Sequence, residues 1–426
     1  MIRTVPPSDA ERTIAAIFRI ESPKLIASLT RMTRDVGLAE ELAQDALVAA
    51  LEHWPGEGTP DKPGAWLMAT AKRRAIDVLR RQRRVERDHE DIGREKDEAA
   101  SARVAALEEA PDDAIGDDLL GLVFTACHPV LSTDARVALT LRLLGGLTTD
   151  EIARAFLVPE PTIAQRIVRA KRTLAEANVA FEVPRGPELA ARLGSVLEVV
   201  YLVFNEGYSA TSGDDWMRPA LCEDALRLGR ILAGLAPAET EVLGLLSLME
   251  IQASRARART GPDGQPVLLL DQNRALWDRL LIGRGLLALQ RALTLGAAPG
   301  PYLLQAAIAA CHARALTPEA TDWAQIAALY AKLAEIAPSP VVELNRAVAV
   351  SMAFGPAAAM TIVDGLGSEP ALKGYHLLPA VRGDLLAKLG RFDEARAELE
   401  RAANMTRNAR EKQLLLERAG ALERTS

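Results

Sequence analysis

Aromatic side chains make up only 4% of this 426-residue chain, and its three cysteines, Cys127, Cys222 and Cys311, stand far apart. The first scarcity argues against a sheet-rich fold: strands draw on aromatic and β-branched residues, whereas the abundant Ala, Leu and Arg favour helices. The second excludes a disulfide framework and fits a reducing cytoplasm. Cys127-His128 and Cys311-His312 have no further Cys or His at ligand spacing, so no metal site is expected. No apolar run nears the ~20 residues of a membrane helix, and the opening MIRTVPPSDAERT does not read as a signal peptide. With a net charge of −6, any nucleic-acid binding must come from segregated patches rather than from a global positive excess. No nucleophile–base pair, phosphate-cradling loop or ligand cluster is present, so neither an enzyme nor a cofactor is expected.

What is present is helix-forming sequence in quantity. Apolar residues amount to 49%, enough for sizeable cores, and the length suggests two to four domains. The most informative stretch is TTDEIARAFLVPEPTIAQRIVRAKRTL, Thr148 to Leu174. Two helices are expected here, capped by Thr149 or Asp150 and by Thr162, and separated by Pro159 and Pro161. In the second, Ile163, Ile167, Ala170 and Leu174 repeat at helical spacing and should point inward. Gln165, Arg166, Arg169 and Arg172 should then point outward, as a major-groove reader requires.

Upstream, residues 8 to 53 read as helices. In DVGLAEELAQDALVAALEHW, Leu38, Leu42, Ala46, Leu47 and Leu51 form an inward stripe, and Glu40, Glu41, Gln44 and Asp45 an exposed acidic face. After the Gly/Pro loop PGEGTPDKPG comes AWLMATAKRRAIDVLRRQRRVER. Its Lys72, Arg73, Arg74, Arg80, Arg81, Arg83, Arg84 and Arg87 stand against only Asp77 and Glu86. That density suits phosphate contact, and Trp66 at its mouth suits either a core position or a platform for an unpaired base. Between Glu86 and Asp118 the balance reverses, to thirteen Asp/Glu against four Lys/Arg, which reads as an extended linker. Leu119, Leu122, Val123, Phe124, Val137, Leu139, Leu141 and Leu143 should supply the core of the unit that ends in the helix-turn-helix.

An acidic-faced helix, a basic helix, an acidic linker and a helix-turn-helix, in that order, resemble the extracytoplasmic-function (ECF) class of bacterial sigma factors. The resemblance spans roughly residues 8 to 180. It implies that Glu40, Glu41, Gln44 and Asp45 dock on the β′ coiled coil of core RNA polymerase, with the β flap as a further partner. It implies that Trp66, Lys72, Arg73, Arg74, Asp77, Arg80, Arg81 and Arg84 melt and read the −10 element of promoter DNA. Thr162, Gln165, Arg166, Arg169, Lys171 and Arg172 would read the −35 element. Two departures stand out. Arg73 occupies a position where many relatives carry Asn, and Ala164-Gln165-Arg166 replaces a frequent Lys/Arg-Ser-Arg.

From Pro187 onward the chain has no counterpart in a minimal ECF factor. Phrases beginning at Trp323, Phe354 and Phe392 recur at spacings that straddle the ~34-residue tetratricopeptide (TPR) period. The expectation is an all-α protein: sigma region 2 over 8–85, an acidic linker over 86–118 and region 4 over 119–182. A helical middle domain over 187–298 and TPR-like repeats over 300–422 would follow. The resemblance extends to the ECF subgroup with a TPR-type extension. That resemblance implies an extension that acts as a built-in regulator with no membrane partner; here it is expected to contact the sigma domains or an unknown regulatory protein. The rival reading, a helix-turn-helix activator with a TPR sensor, needs no acidic-faced helix followed by a basic one.

Overall fold

A computed structural model describes residues 9–87, 115–156, 158–209, 217–262 and 264–423. Among them the regular structure is helical, and the one pairing of extended backbone is an isolated bridge between Thr260 and Pro266. The chain divides into two compact units, Met1–Val200 and Tyr201–Ser426.

The first unit opens with α1 (Asp9–Thr33), α2 (Val36–Glu57) and α3 (Pro63–Arg87), which pack on one another. Asp35 caps α2 by accepting from the amides of Gly37 (2.7 Å) and Leu38 (3.0 Å), and Gly58, at φ +88°, ends it. Pro63 begins α3, where a missing N–H costs nothing. Small buried residues, Ala39, Ala43, Ala46 and Ala50 on α2 and Ala71 and Ala75 on α3, let the helix axes approach closely. Leu51, expected inward, is 38% exposed.

Then come α4 (Ile115–Ala126), α5 (Thr133–Leu143), α6 (Thr149–Phe156) and α7 (Glu160–Glu176). Both ends of the expected linker are helical, 86–87 in α3 and 115–118 in α4; residues 88–114 lie outside the described residues. The eight predicted core residues from Leu119 to Leu143 are all buried. Thr148, one residue earlier than expected, caps α6 through a reciprocal box: its Oγ1 accepts from the Glu151 amide (3.1 Å), and Glu151 accepts from the Thr148 amide (2.7 Å). Thr162 is no cap. Pro161 is tolerated in a first turn, so α7 starts at Glu160 and takes Thr162 inside.

Helix α8 (Pro187–Tyr208) crosses the division between units, and its first half is tied to the end of α4. Ser195 Oγ donates to the Cys127 carbonyl (2.6 Å) and Arg192 to the Phe124 carbonyl (2.9 Å).

The second unit continues with α9 (Pro219–Leu235), α10 (Thr240–Ala253), α11 (Arg279–Thr294) and α12 (Pro301–Arg314). Its centre is α10, buried along most of its length and packed on α9, α11 and α12. Gly244 makes the α12 approach possible, since a Cβ there would lie 2.7 Å from the Leu303 nitrogen. Glu241 then caps α12 by accepting from the amides of Gly300, Tyr302 and Leu303. The remaining helices, α13 (Trp323–Ile336), α14 (Pro340–Phe354), α15 (Pro356–Leu366), α16 (Leu377–Lys388), α17 (Phe392–Met405) and α18 (Ala409–Glu423), each pack on the next. Trp323 and Phe392 open helices as the repeat phrases suggest. Phe354 instead closes α14 and is 65% exposed.

Candidate nucleic-acid interface

Helix α3 buries Leu67, Ala71 and Ala75 against its neighbours, and that face turns the basic residues outward. Arg73, Asp77, Arg80 and Arg81 are exposed, while Lys72 and Arg74 are half-buried. Arg74 reaches across to α2 and pairs with Asp45 at 3.3 Å. The side chain of Arg84 lies outside the described residues. Trp66 is half-buried, edge-on to Trp54 with ring centroids 5.3 Å apart. It is anchored on one side, with part of its surface open.

On α7, Ile163, Ile167, Ala170 and Leu174 are buried, the pattern predicted from periodicity. Gln165, Arg169 and Arg172 are exposed on the opposite side, and Arg172 makes an i,i+4 pair with Glu176 (3.4 Å). Arg166 departs from expectation: it is half-buried and pairs with Asp134 at 3.1 Å. Val168, to which the sequence reading gave no role, is 65% exposed beside Gln165 and Arg169. An outward apolar side chain suits a thymine methyl group.

The acidic face of α2 is split. Glu41 and Asp45 are exposed and Gln44 is half-buried, but Glu40 is only 6% exposed. The expectation that all four lie on an open face is therefore corrected at Glu40. Its carboxylate is held by Arg142 of α5, at 2.5 Å from Nε, and by Lys171 of α7. Arg142 also donates to the Leu147 carbonyl (3.1 Å), which fixes its guanidinium. Burial pushes the Glu40 carboxyl up, but Lys171 and Arg142 outweigh it and hold the group below its ordinary value. Arg31 of α1 pairs with buried Asp118 of α4 at 3.0 Å, and Arg19 lies 3.9 Å from Glu151. The three-helix bundle and the helix-turn-helix unit thus form one body, clasped by charge. Arg142, between two leucines, gave no sequence signal of this role.

Two families match these same segments: Sigma-70 region 2 over residues 17–85, and Sigma-70, region 4 over residues 122–174. An ECF RNA polymerase sigma factor SigK of Mycobacterium sp. (strain KMS) is 28% identical over 179 residues, covering 39% of this chain and 83% of its own. The chain belongs to the ECF sigma factors. It directs RNA polymerase to promoters, and the region 2 match decides against a simple activator. As a sigma factor it is not an enzyme.

The sigma factor also carries, over residues 192–293, a family of unknown function, DUF6596. An uncharacterized protein of Rhizobium meliloti (strain 1021) is 45% identical over 390 residues, 91% of each chain, so the extension is shared along with the sigma regions. No solved structure matches. Among the described residues, no helix is long and apolar enough to cross a membrane.

Proposed function

We propose that this sigma factor has a closed form, in which Glu40 clasps region 4 to region 2, and that it engages a promoter only after the clasp opens. The observation that carries the reading is the pairing of buried Glu40 with Arg142 and Lys171. Elements at −10 and −35 lie about 25 base pairs apart, roughly 85 Å along B-form DNA at ~3.4 Å per pair. A compact body of some 200 residues has a radius of gyration of about 16 Å. Its two readers therefore cannot reach both elements while Glu40 joins them.

In the open form each surface takes one task. Glu41, Gln44 and Asp45 face the β′ coiled coil of the polymerase, joined by Glu40 when it is released. Trp66, Lys72, Arg73, Arg74, Arg80 and Arg81 open and hold the −10 strand. Gln165, Val168 and Arg169 read −35 bases, and Arg166 and Lys171 join them on leaving Asp134 and Glu40. Changing Glu41 and Asp45 together to Lys should abolish co-purification with core polymerase; an unchanged pull-down would remove the docking assignment.

The clasp has its own test. Glu40→Gln keeps the side-chain shape and removes the charge that holds Lys171. Binding of a −35 duplex by the free protein should rise several-fold, whereas Glu41→Gln, equal in charge but outside the clasp, should change it little. Equal affinities for Glu40→Gln and the parent protein would overturn the closed form.

The second unit is read as the regulator, working in the cytoplasm, with α13 to α18 as a TPR-like stack. Support comes from the sequential helix packing and from Ala395 and Ala402, small and buried where the repeat pattern requires them. Truncation should change promoter activity several-fold. The cut belongs after Val200, because Arg192 and Ser195 are bonded to the end of α4.

A further inference from the structure

A cavity of about 230 Å³ lies wholly within the second unit, and no part of the sigma activity uses it. It is bounded by the second half of α8, the end of α10, α12 and Tyr330 of α13. Tyr201, Phe204, Leu248 and Ile308 form an apolar and aromatic wall. The polar end holds Arg255, Gln252, Asn205 and His312.

Arg255 is the anomaly. It is 9% exposed, yet its hydrogen-bond partners are neutral: Nη2 donates to the Tyr208 hydroxyl (2.5 Å) and to Gln252 Oε1. Its guanidinium lies 5.8 Å from the rings of both Tyr208 and Trp277. Nε is buried without a hydrogen-bond partner, and among the described residues no carboxylate pairs with Arg255. A buried cation normally carries an anion, since desolvating it alone is expensive. The nearest acid along α10, Glu250, is already held by Arg230 at 2.8 and 3.1 Å.

His312 beside it is also 9% exposed, with Nδ1 buried and unpartnered. Burial, together with Arg255 and Arg274, drives the imidazole pKa down to about 4, so at neutral pH it carries no charge. Burial pushes the Tyr330 hydroxyl up to about 12, leaving a neutral group there too. Arg255 is thus the one cationic side chain in the lining, set among neutral polar groups.

The surrounding chain holds this end in place. Within LLLDQNRALWD, buried Arg274 donates to the carbonyls of His312 (2.8 Å) and Ala315 (2.7 Å) and stacks on Trp277 at 4.9 Å. Asp278 caps α11 while its amide donates to the Ser254 carbonyl (2.8 Å), next to Arg255. One short segment thus positions both Arg255 and His312.

We propose that this cavity binds a small organic monocarboxylate with an apolar or aromatic body. The carboxylate meets the Arg255 guanidinium, and the body lies against Tyr201, Phe204 and Ile308. A single guanidinium balances a monoanion; a phosphate ester, with nearly twice the charge and three acceptor oxygens, would need more cations than the cavity offers. The volume falls below the ~300–1,000 Å³ of drug-sized pockets, which limits the ligand to one ring or a short chain.

The test uses the full-length protein with benzoate and hexanoate as probes, benzamide as the neutral counterpart and phenyl phosphate as the dianionic one. Thermal shift and calorimetry should show saturable stabilisation by at least one carboxylate and none by benzamide. Arg255→Gln should weaken that binding by about tenfold or more. Asn205→Asp, which adds a negative charge to the wall and leaves Arg255 in place, should do the same and serves if Arg255→Gln fails to fold. The proposal is overturned if neither carboxylate binds with Kd below about 1 mM, if phenyl phosphate binds more tightly than both, or if Asn205→Asp leaves carboxylate binding unchanged.

Discussion

Each unit of this sigma factor buries a charge, and the two treat it in opposite ways. In the first, Glu40 is an anion with two cations, Arg142 and Lys171, brought from helices far downstream. In the second, Arg255 is a cation whose hydrogen bonds go to a tyrosine hydroxyl and an amide. A paired buried charge holds elements together, and removing one partner is costly because the other is stranded. A buried charge given only neutral partners is stable in place but retains capacity for an anion. The first arrangement serves as a clasp, and the second as a receptor.

The sharpest way to break this comparison is to strand the cations of the clasp. Glu40→Ala leaves Arg142 and Lys171 facing each other and should cost about 3–5 kcal/mol, the usual loss for a broken buried pair. Hydrogen exchange should show the loss in α2 and α7 amides and leave α10 untouched. If α2 and α7 keep their protection, Glu40 is not the clasp.

Acid separates the two units next, by an effect of a few kcal/mol at most. His312 has a folded pKa depressed from 6.5 to about 4, so its contribution is complete above 6.5 and lost as pH falls toward 4. The Glu40 carboxyl is likewise depressed, from 4.5, so the clasp keeps its contribution above that value and loses it only below. Between about pH 6 and about pH 5, inside the histidine window, amide protection should fall around α12 before it falls in α2. The reverse order would contradict the burial assigned to His312.

A smaller version of the contrast runs along α7, where Lys171 is engaged and Gln165 and Arg169 are exposed. Replacing Gln165 or Arg169 by Ala should relax base preference at particular −35 positions, by about 1–3 kcal/mol for each lost bidentate contact. Identical preferred bases in a binding-site selection would refute their role as readers. The smallest effect belongs to Arg172→Ala, which should weaken all sequences alike and lower the salt slope by about 1.

Much of this was legible in the chain. The inward set of α7 followed from periodicity, because a helix puts every third or fourth residue on one face whatever surrounds it. The basic run of α3 was legible from its Lys/Arg density, and the core of α4 and α5 from its large apolar residues. Caps were nearly legible, slipping by one residue at Thr148 and failing at Thr162, since two residues able to cap stood side by side and proline is welcome in a first turn.

The alternation of apolar and polar residues thus settled which positions are helical and which side of each helix turns inward, a matter of local backbone geometry. Partnership between distant segments was a different kind of question. Glu40 looks like its neighbours Glu41 and Asp45 along α2, and only the arrival of α5 and α7 buries it. Arg255 sits in RARAR, where nothing local sets it apart from Arg257 and Arg259; only α8, α12 and α13 close a cavity around it. Burial of a charge depends on contacts made across long stretches of chain, and no short-range periodicity encodes them.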